Sequence, residues 1–266
     1  MSRASGVCEP FRTRLESRHR VVFPGLEEEG DAMLPEADSA AIEPGVMTRG
    51  TRSFEVPDFL DPVLAREISE FLSGGMPEDW WFASLLPDPV SGGRVDHRNT
   101  PGIAPTLAGL RAHARQVFAA GGFAHFFYRT APHLAGCHCP VCRVIAVMED
   151  PRTIARIGTA IGRELRTSGG FFCSKYVPGC FLSPHTDSHN GVIAAVYNVT
   201  RDWRPQYGGL LHVLDDAGDE VAQVFTPTFN TLVLLDLPDT RGTLHFVSEV
   251  APGIDVPRVA VSGWYR

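Results

Sequence analysis

Hydrophobic and polar positions follow three regimes along the chain. Up to about residue 50 they follow none. "GLEEEGDAMLPEADSAAIEPG" is acidic, rich in Pro, Gly and Ala, and without apolar periodicity, so residues 1–50 read as a poorly ordered leader. Met47 stands just before the first patterned segment, so the start could be Met1 or Met47.

From 51 to about 170 the spacing is helical. "FLDPVLAREISEFLSGG" offers Asp61 as N-cap, Pro62 in the first turn, an apolar face of Leu64, Ile68, Phe71 and Leu72, and a Gly74-Gly75 stop. "APTLAGLRAHARQVFAAGG" predicts a second helix, with Leu107, Leu110, Ala114, Val117 and Phe118 on one face. "EDPRTIARIGTAIGRELRTSGG" predicts a third, capped by Asp150, faced by Ile154, Ile157, Ile161 and Leu165, and ended by Gly169-Gly170.

After Gly170 the period changes to that of strands. "FFCSKYV", "GVIAAVYNV", "GLLHVL", "EVAQVF", "TLVLLDL", "LHFVSEV" and "RVAVSGWY" are short, β-branched or aromatic, and separated by turn residues, at sandwich or barrel spacing. "DDAGDE" reads as a hairpin turn. Helices first and an all-β C-terminal part make the class α+β. The expected organisation is a leader at 1–50, helical support and a substrate-side insert at 51–170, and a catalytic core at 171–266, with 51–266 as one folded unit.

Composition narrows the function. At 266 residues the chain can bury a full core, and 44% apolar with 21% charged residues marks a globular protein. A net charge of -7 gives no electrostatic footprint for nucleic acid or an anionic membrane. No apolar run approaches membrane-spanning length, and the first twenty residues lack the apolar centre of a secretory signal. They are Arg-rich, but Glu9 and Glu16 interrupt a transit-peptide pattern. A cytoplasmic location is expected, with the six cysteines reduced rather than forming a disulfide framework.

The chemistry centres on "YVPGCFLSPHTD", residues 176–187. Strand residues two apart point the same way, so His185 and Asp187 can aim at one point. An imidazole and a carboxylate are two of the three ligands of a 2-His-1-carboxylate triad on ferrous iron. The third would be His189, His212 or His245. His189 is too close in sequence to approach from across a barrel, and alternation could turn His212 either way. His245 begins a late strand and is preferred. Alone, a His-x-Asp pair is a weak signal, and a lone strand His is more often a satisfied core residue.

The ordered series "YVPGCFLSPHTD", "GVIAAVYNV", "YGGLLHVL", "PTFNTLVLLD", "LHFVSEV" and "PRVAVSGWYR" resembles the prolyl 4-hydroxylase-like branch of iron(II)/2-oxoglutarate-dependent oxygenases, over about residues 170–266. The resemblance implies a double-stranded β-helix, or jelly-roll barrel, with the metal at its mouth. It implies His185, Asp187 and His245 as iron ligands and Arg258 as the partner of the distal carboxylate of 2-oxoglutarate, a role that suits a guanidinium fork. Tyr176 aligns with a tyrosine that hydrogen-bonds the cosubstrate, though an ordinary core aromatic is the plain alternative. Gly208-Gly209 marks a close backbone approach. Implied cofactors are Fe(II), 2-oxoglutarate and O2, with ascorbate as a stimulant. Asp187 fills the position that related halogenases leave open for chloride, so the resemblance implies hydroxylation.

"HLAGCHCPVC" lies outside that pattern. Cys137, Cys139 and Cys142, with His133 or His138, could bind zinc and pin a lid over the substrate; the plain reading is a reduced, partly buried loop. The polar loop "SGGRVDHRNTPG" could meet a charged substrate or simply be solvated, and Asn198, Arg201 and Trp203 are second candidates. Trp80 and Trp81 read as core. The function expected is hydroxylation of an unactivated C–H in a small molecule such as an amino acid or natural-product intermediate. The alternatives are a peptidyl, prolyl-type hydroxylase, a barrel metalloenzyme without 2-oxoglutarate, or a non-catalytic scaffold using the cysteine loop for partners.

Overall fold

A computed structural model describes residues 53–130, 137–187, 189–237 and 243–266. The leader, both possible starts and His133 lie outside the described residues.

The apolar run at 231–236 explains the layering. A strand with one wet face alternates, whereas a strand covered on both faces is apolar throughout. Strand β10 (Thr231–Asp236) is buried at every position. Leu232 and Leu234 enter one core, and Val233 and Leu235 enter another. Strand β7 (Ile193–Asn198) divides the same way: Ile193, Ala195 and Tyr197 face the first core and Ala194 faces the second. Helices α1 (Pro62–Glu70), α3 (Pro140–Glu149) and α4 (Pro151–Ile161) cover the first core. The second is the barrel interior, which α2 (Ala104–Ala119) helps to close through Leu107 and Ala114.

The remaining strands are β1 (Ser53–Val56), β2 (Trp81–Leu86), β3 (Val95–Arg98), β4 (His125–Thr130), β5 (Ser168–Tyr176), β6 (Phe181–His185), β8 (Leu211–Leu214), β9 (Val221–Phe225), β11 (His245–Val247) and β12 (Arg258–Tyr265). They form one curled sheet in the order β1-β10-β7-β12-β5-β4-β6-β11-β8-β9, and β2 joins β4 to β3. All pairings are antiparallel. This is the jelly roll. Asp215 and Gly218 close the β8–β9 hairpin as "DDAGDE" predicts.

Three expectations are corrected. The third helix stops at Ile161, because Gly162 takes the left-handed cap (φ 69°) and the chain turns back; Gly169-Gly170 instead opens β5. The stretch 53–130 is not only helical: it supplies β1 to β4 to the sheet. The cysteine stretch runs into a helix, with Cys139 at its N-cap and Pro140 in the first turn. No described helix is long and apolar enough to cross a membrane.

Asn230 ties the layers together. It adopts a positive φ of 56°, which Asn tolerates better than most residues. Its buried Oδ1 accepts from the Leu60 amide (3.1 Å) and the Tyr197 hydroxyl (2.7 Å), and its Nδ2 donates to the Leu60 carbonyl (2.9 Å). The entry to α1 is thereby fixed to the start of β10. Asn230→Ala strands buried donors and acceptors, so it should cost about 3 kcal/mol. Thermal melting should then fall by about 6–12 °C; an unchanged melting temperature would show that this anchor contributes nothing.

Candidate metal and cosubstrate site

Strand register builds the centre. In the β6–β11 pair, His245 lies directly opposite His185, and their ring centroids are 4.3 Å apart. Asp187 follows two residues after His185. Its Oδ1 lies 3.6 Å from His185 Nε2 and its Oδ2 lies 3.3 Å from His245 Nε2. The ligand atoms of all three lie within 4.8 Å of one another.

Backbone carbonyls fix both histidine tautomers. His185 Nδ1 lies 3.0 Å from the Ser183 carbonyl and His245 Nδ1 lies 2.7 Å from the Thr243 carbonyl. A carbonyl only accepts, so each Nδ1 carries the proton and each Nε2 turns a lone pair inward. Two lone pairs and a carboxylate then converge in a buried place, which is a donor set for a cation. Burial holds the His185 imidazole down at about 4, helped by His245. Burial alone would raise the Asp187 carboxyl, but the His245 and His185 imidazoles and the Trp264 indole more than offset it and hold it at about 2. The carboxylate is therefore ionised at neutral pH.

The other half of the site lies on β5 and β12. Arg258 is opposite Tyr176 in the register, with its guanidinium 4.9 Å over the tyrosine ring, which in turn stacks on Phe127 at 5.2 Å. Arg258 is 3% exposed, and its Nε has no hydrogen-bond partner among the described residues. The guanidinium bonds the Tyr176 hydroxyl, and a buried guanidinium without a carboxylate partner is costly. Burial pushes the Tyr176 hydroxyl far up, and it stays neutral. Gly209 lets Arg258 lie here, since a Cβ at Gly209 would come within 3.1 Å of its Cδ. At Gly208 a Cβ would collide with the Glu249 carbonyl, so the expected close approach is real.

These groups line one cavity of about 210 Å³, with Ser84, Arg94, Phe123, His125, Arg129, Phe172, Ser174, Asn190 and Trp264 among its walls. Residues 171–266 match the family model described as the 2OG-Fe(II) oxygenase superfamily. That stretch resembles the superfamily, whose members use Fe(II), 2-oxoglutarate and O2.

Solved structures similar to this chain include a Pseudomonas putida prolyl-4-hydroxylase, 19% identical, with a TM-score of 0.41 over 77% of this chain and 99% of that one. A Burkholderia pseudomallei oxidoreductase of the 2OG-Fe(II) oxygenase family is 16% identical, with a TM-score of 0.41 over 63% and 92%. A Trichoplax adhaerens prolyl hydroxylase, solved with a hypoxia inducible factor oxygen degradation domain peptide fragment, is 14% identical, with a TM-score of 0.42 over 76% and 89%. No curated protein matches the chain.

The other sequence candidates fall elsewhere. His212 stacks on Phe246 at 4.4 Å on the face opposite to His245, and His189 is exposed. Arg201 faces Glu70 at 3.7 Å near the surface, and the Trp203 indole donates to the Gly208 carbonyl. Trp81 is core, with Lys175 lying 4.7 Å over its ring. The sulfur atoms of Cys137, Cys139 and Cys142 lie within 4.8 Å of one another, with Cys139 and Cys142 3.7 Å apart. None lines the cavity, so this cluster is no lid over it, and Cys139 packs on the helix-side core. Cys139 and Cys142 are free thiols. Burial and the neighbouring Cys139 push the Cys142 thiol up to about 12.

Sequence reasoning missed one wall. His125, Phe127 and Arg129 recur at every second position of β4 and all face the cavity. That alternation in "HFFYRT" was the available signal. His125 Nε2 lies 3.1 Å from the Ser84 hydroxyl. Burial, with Arg94, His185 and Arg129 nearby, holds the His125 imidazole down at about 3. A base whose folded pKa is depressed leaves stability intact above its unfolded value near 6.5 and loses it as pH falls towards the folded value. In an NMR titration the His125 ring should show a midpoint near 3. A midpoint near 6.5 would contradict its burial as a neutral base.

Proposed function

We propose that His185, Asp187 and His245 hold Fe(II), that Arg258 with Tyr176 receives the distal carboxylate of 2-oxoglutarate, and that the oxygenase hydroxylates an unactivated C–H of a small molecule. The observation that carries the metal assignment is the convergence of two carbonyl-fixed Nε2 lone pairs and the Asp187 carboxylate. The donor set suits Fe(II), since two imidazoles and one carboxylate leave coordination positions free for ligands. The buried Arg258, bonded to Tyr176 but with its Nε free and no carboxylate beside it, supports the dicarboxylate in the same way. When bound, iron and 2-oxoglutarate supply the oxidising power, with the cosubstrate leaving as succinate and CO2.

The chain supplies the rest. Ser183 and Thr243 hold the imidazoles in their ligating tautomer, and Asn190 Nδ2 steadies the carboxylate by donating to Asp187 Oδ1 at 3.2 Å. Phe127, Phe172, Leu211 and Val247 give the cavity apolar walls between its charged groups. The cavity falls below the about 300 Å³ at which ligand pockets usually begin. Beside a bound cosubstrate, the remaining room supports a substrate of few heavy atoms.

Two variants test this. Arg258→Met removes a buried charge at similar volume. The protein without cosubstrate should melt no lower than wild type, while calorimetry should show 2-oxoglutarate bound about a hundredfold more weakly or worse. A lower melting temperature with unchanged 2-oxoglutarate affinity would make Arg258 structural. His245→Ala should abolish stoichiometric Fe(II) binding under anaerobic conditions, and retained binding would reject the ligand set.

A further inference from the structure

Four charged side chains line the cavity: Asp187, Arg258, Arg94 and Arg129. His125 also lines it but is neutral. On the reading above, a divalent ion and a dicarboxylate cancel, and so do Asp187 and Arg258. Arg94 and Arg129 are left over. Burial lowers the affinity of Arg129 for its proton, the Asp96 carboxylate opposes this, and Arg94 adds to it, so the two guanidiniums share one carboxylate. Arg129 makes no direct ion pair among the described residues; its guanidinium is held 4.3 Å over the Phe172 ring. Asp96 is the acidic group nearby. It lies 3.8 Å from Arg94, is half-exposed at the rim and does not line the cavity. Two guanidiniums against one peripheral carboxylate leave net positive charge, with Arg129 partly buried and Arg94 exposed at the rim.

Register separates this charge from Arg258. Tyr176 lies opposite Arg258 and Phe172 lies opposite Ser262, at two ends of the same β5–β12 ladder. Four residues of strand separate them, about 13 Å. One carboxylate cannot serve both ends. The His185–His245 pair reaches the cavity from β6 and β11, and β4, which carries Arg129, is hydrogen-bonded to β6.

We propose that Arg94 and Arg129 form a second anion subsite, which holds a carboxylate of the substrate and turns its aliphatic part towards His185, Asp187 and His245. This rests on the iron and 2-oxoglutarate reading and adds the substrate class: a carboxylate-bearing molecule, with Phe172 and Phe127 packing its apolar part. A guanidinium pair of this kind distinguishes a carboxylate from its amide, because only the charged form makes charge-assisted hydrogen bonds to both guanidiniums.

The test reads binding. Wild-type protein is loaded anaerobically with Fe(II) and 2-oxoglutarate, and the visible band of the chelate is followed. The probes are the twenty common free L-amino acids, short aliphatic carboxylic acids, the carboxamide of each, and short peptides with and without acidic side chains. One or more acids should perturb the band while the matching amides do not. Arg129→Gln should weaken that binding about tenfold or more, and Arg94→Gln, at the rim where folding is undisturbed, should weaken it in the same direction. The 2-oxoglutarate band should form in both variants. Binding by acidic peptides alone, with the same arginine dependence, would keep the subsite and assign its carboxylate to a peptide. Amides binding as well as acids, no acid binding at all, or affinity unchanged in both variants would overturn the subsite. Absence of the band in wild type before any probe is added would instead overturn the iron and 2-oxoglutarate reading, and the subsite with it.

Discussion

The hydrogen-bonded register between β6 and β11 is the constraint on which the site depends. It sets His245 opposite His185. A shift of one residue would turn one imidazole to the other face of the sheet. The register is held from both sides: β6 also pairs with β4, and β11 also pairs with β8. Carbonyls of residues two positions earlier on each chain then set the tautomers. Ladder geometry and proton placement are therefore one device, and Asp187 completes it from the turn that follows β6.

The cavity uses the same sheet in a second way. Alternate residues of β4, β5 and β12 enter it, among them Arg129, Phe172, Ser174 and Arg258, so short stretches of strand deliver basic groups, aromatic rings and hydroxyls. Arg258 and Tyr176 face each other across one end of the β5–β12 pair, and Phe172 and Ser262 face each other across the other. The intervening residues, such as Cys173, Val259 and Val261, pack under the helices. Burial of one face thus aims the chemistry of the other. Both cationic ends carry an electrostatic cost without a ligand, which is why the positions of charge in this pocket are informative about what enters it.

Much of this was legible in the sequence where period and turn signals agreed. The strands after Gly170 alternate or run apolar between turn residues, and the His-x-Asp pair with a later His stands on them. The Asp61 cap accepts from the Val63 and Leu64 amides as its position implies. Strands β2 to β4 were hidden for physical reasons. "WFASLL" and "HFFYRT" are walled in by other strands and by α2, so their apolar content resembles buried helix. "VDHR" is an edge strand and reads as a polar loop. The end of α4 was hidden because the apolar spacing continues through Leu165, which folds back against the helix at Gly158 instead of extending it. Missing β4 meant missing His125 and Arg129, and with them one wall of the cavity.

The most direct measurement is an anaerobic titration of the purified protein with Fe(II) and then 2-oxoglutarate, followed in the visible region. A 1:1 charge-transfer band should appear on adding 2-oxoglutarate, be absent in His245→Ala, and need far more cosubstrate in Arg258→Met. Iron bound at stoichiometry with no band at any 2-oxoglutarate concentration would contradict the assignment of Arg258 and the triad to one shared site.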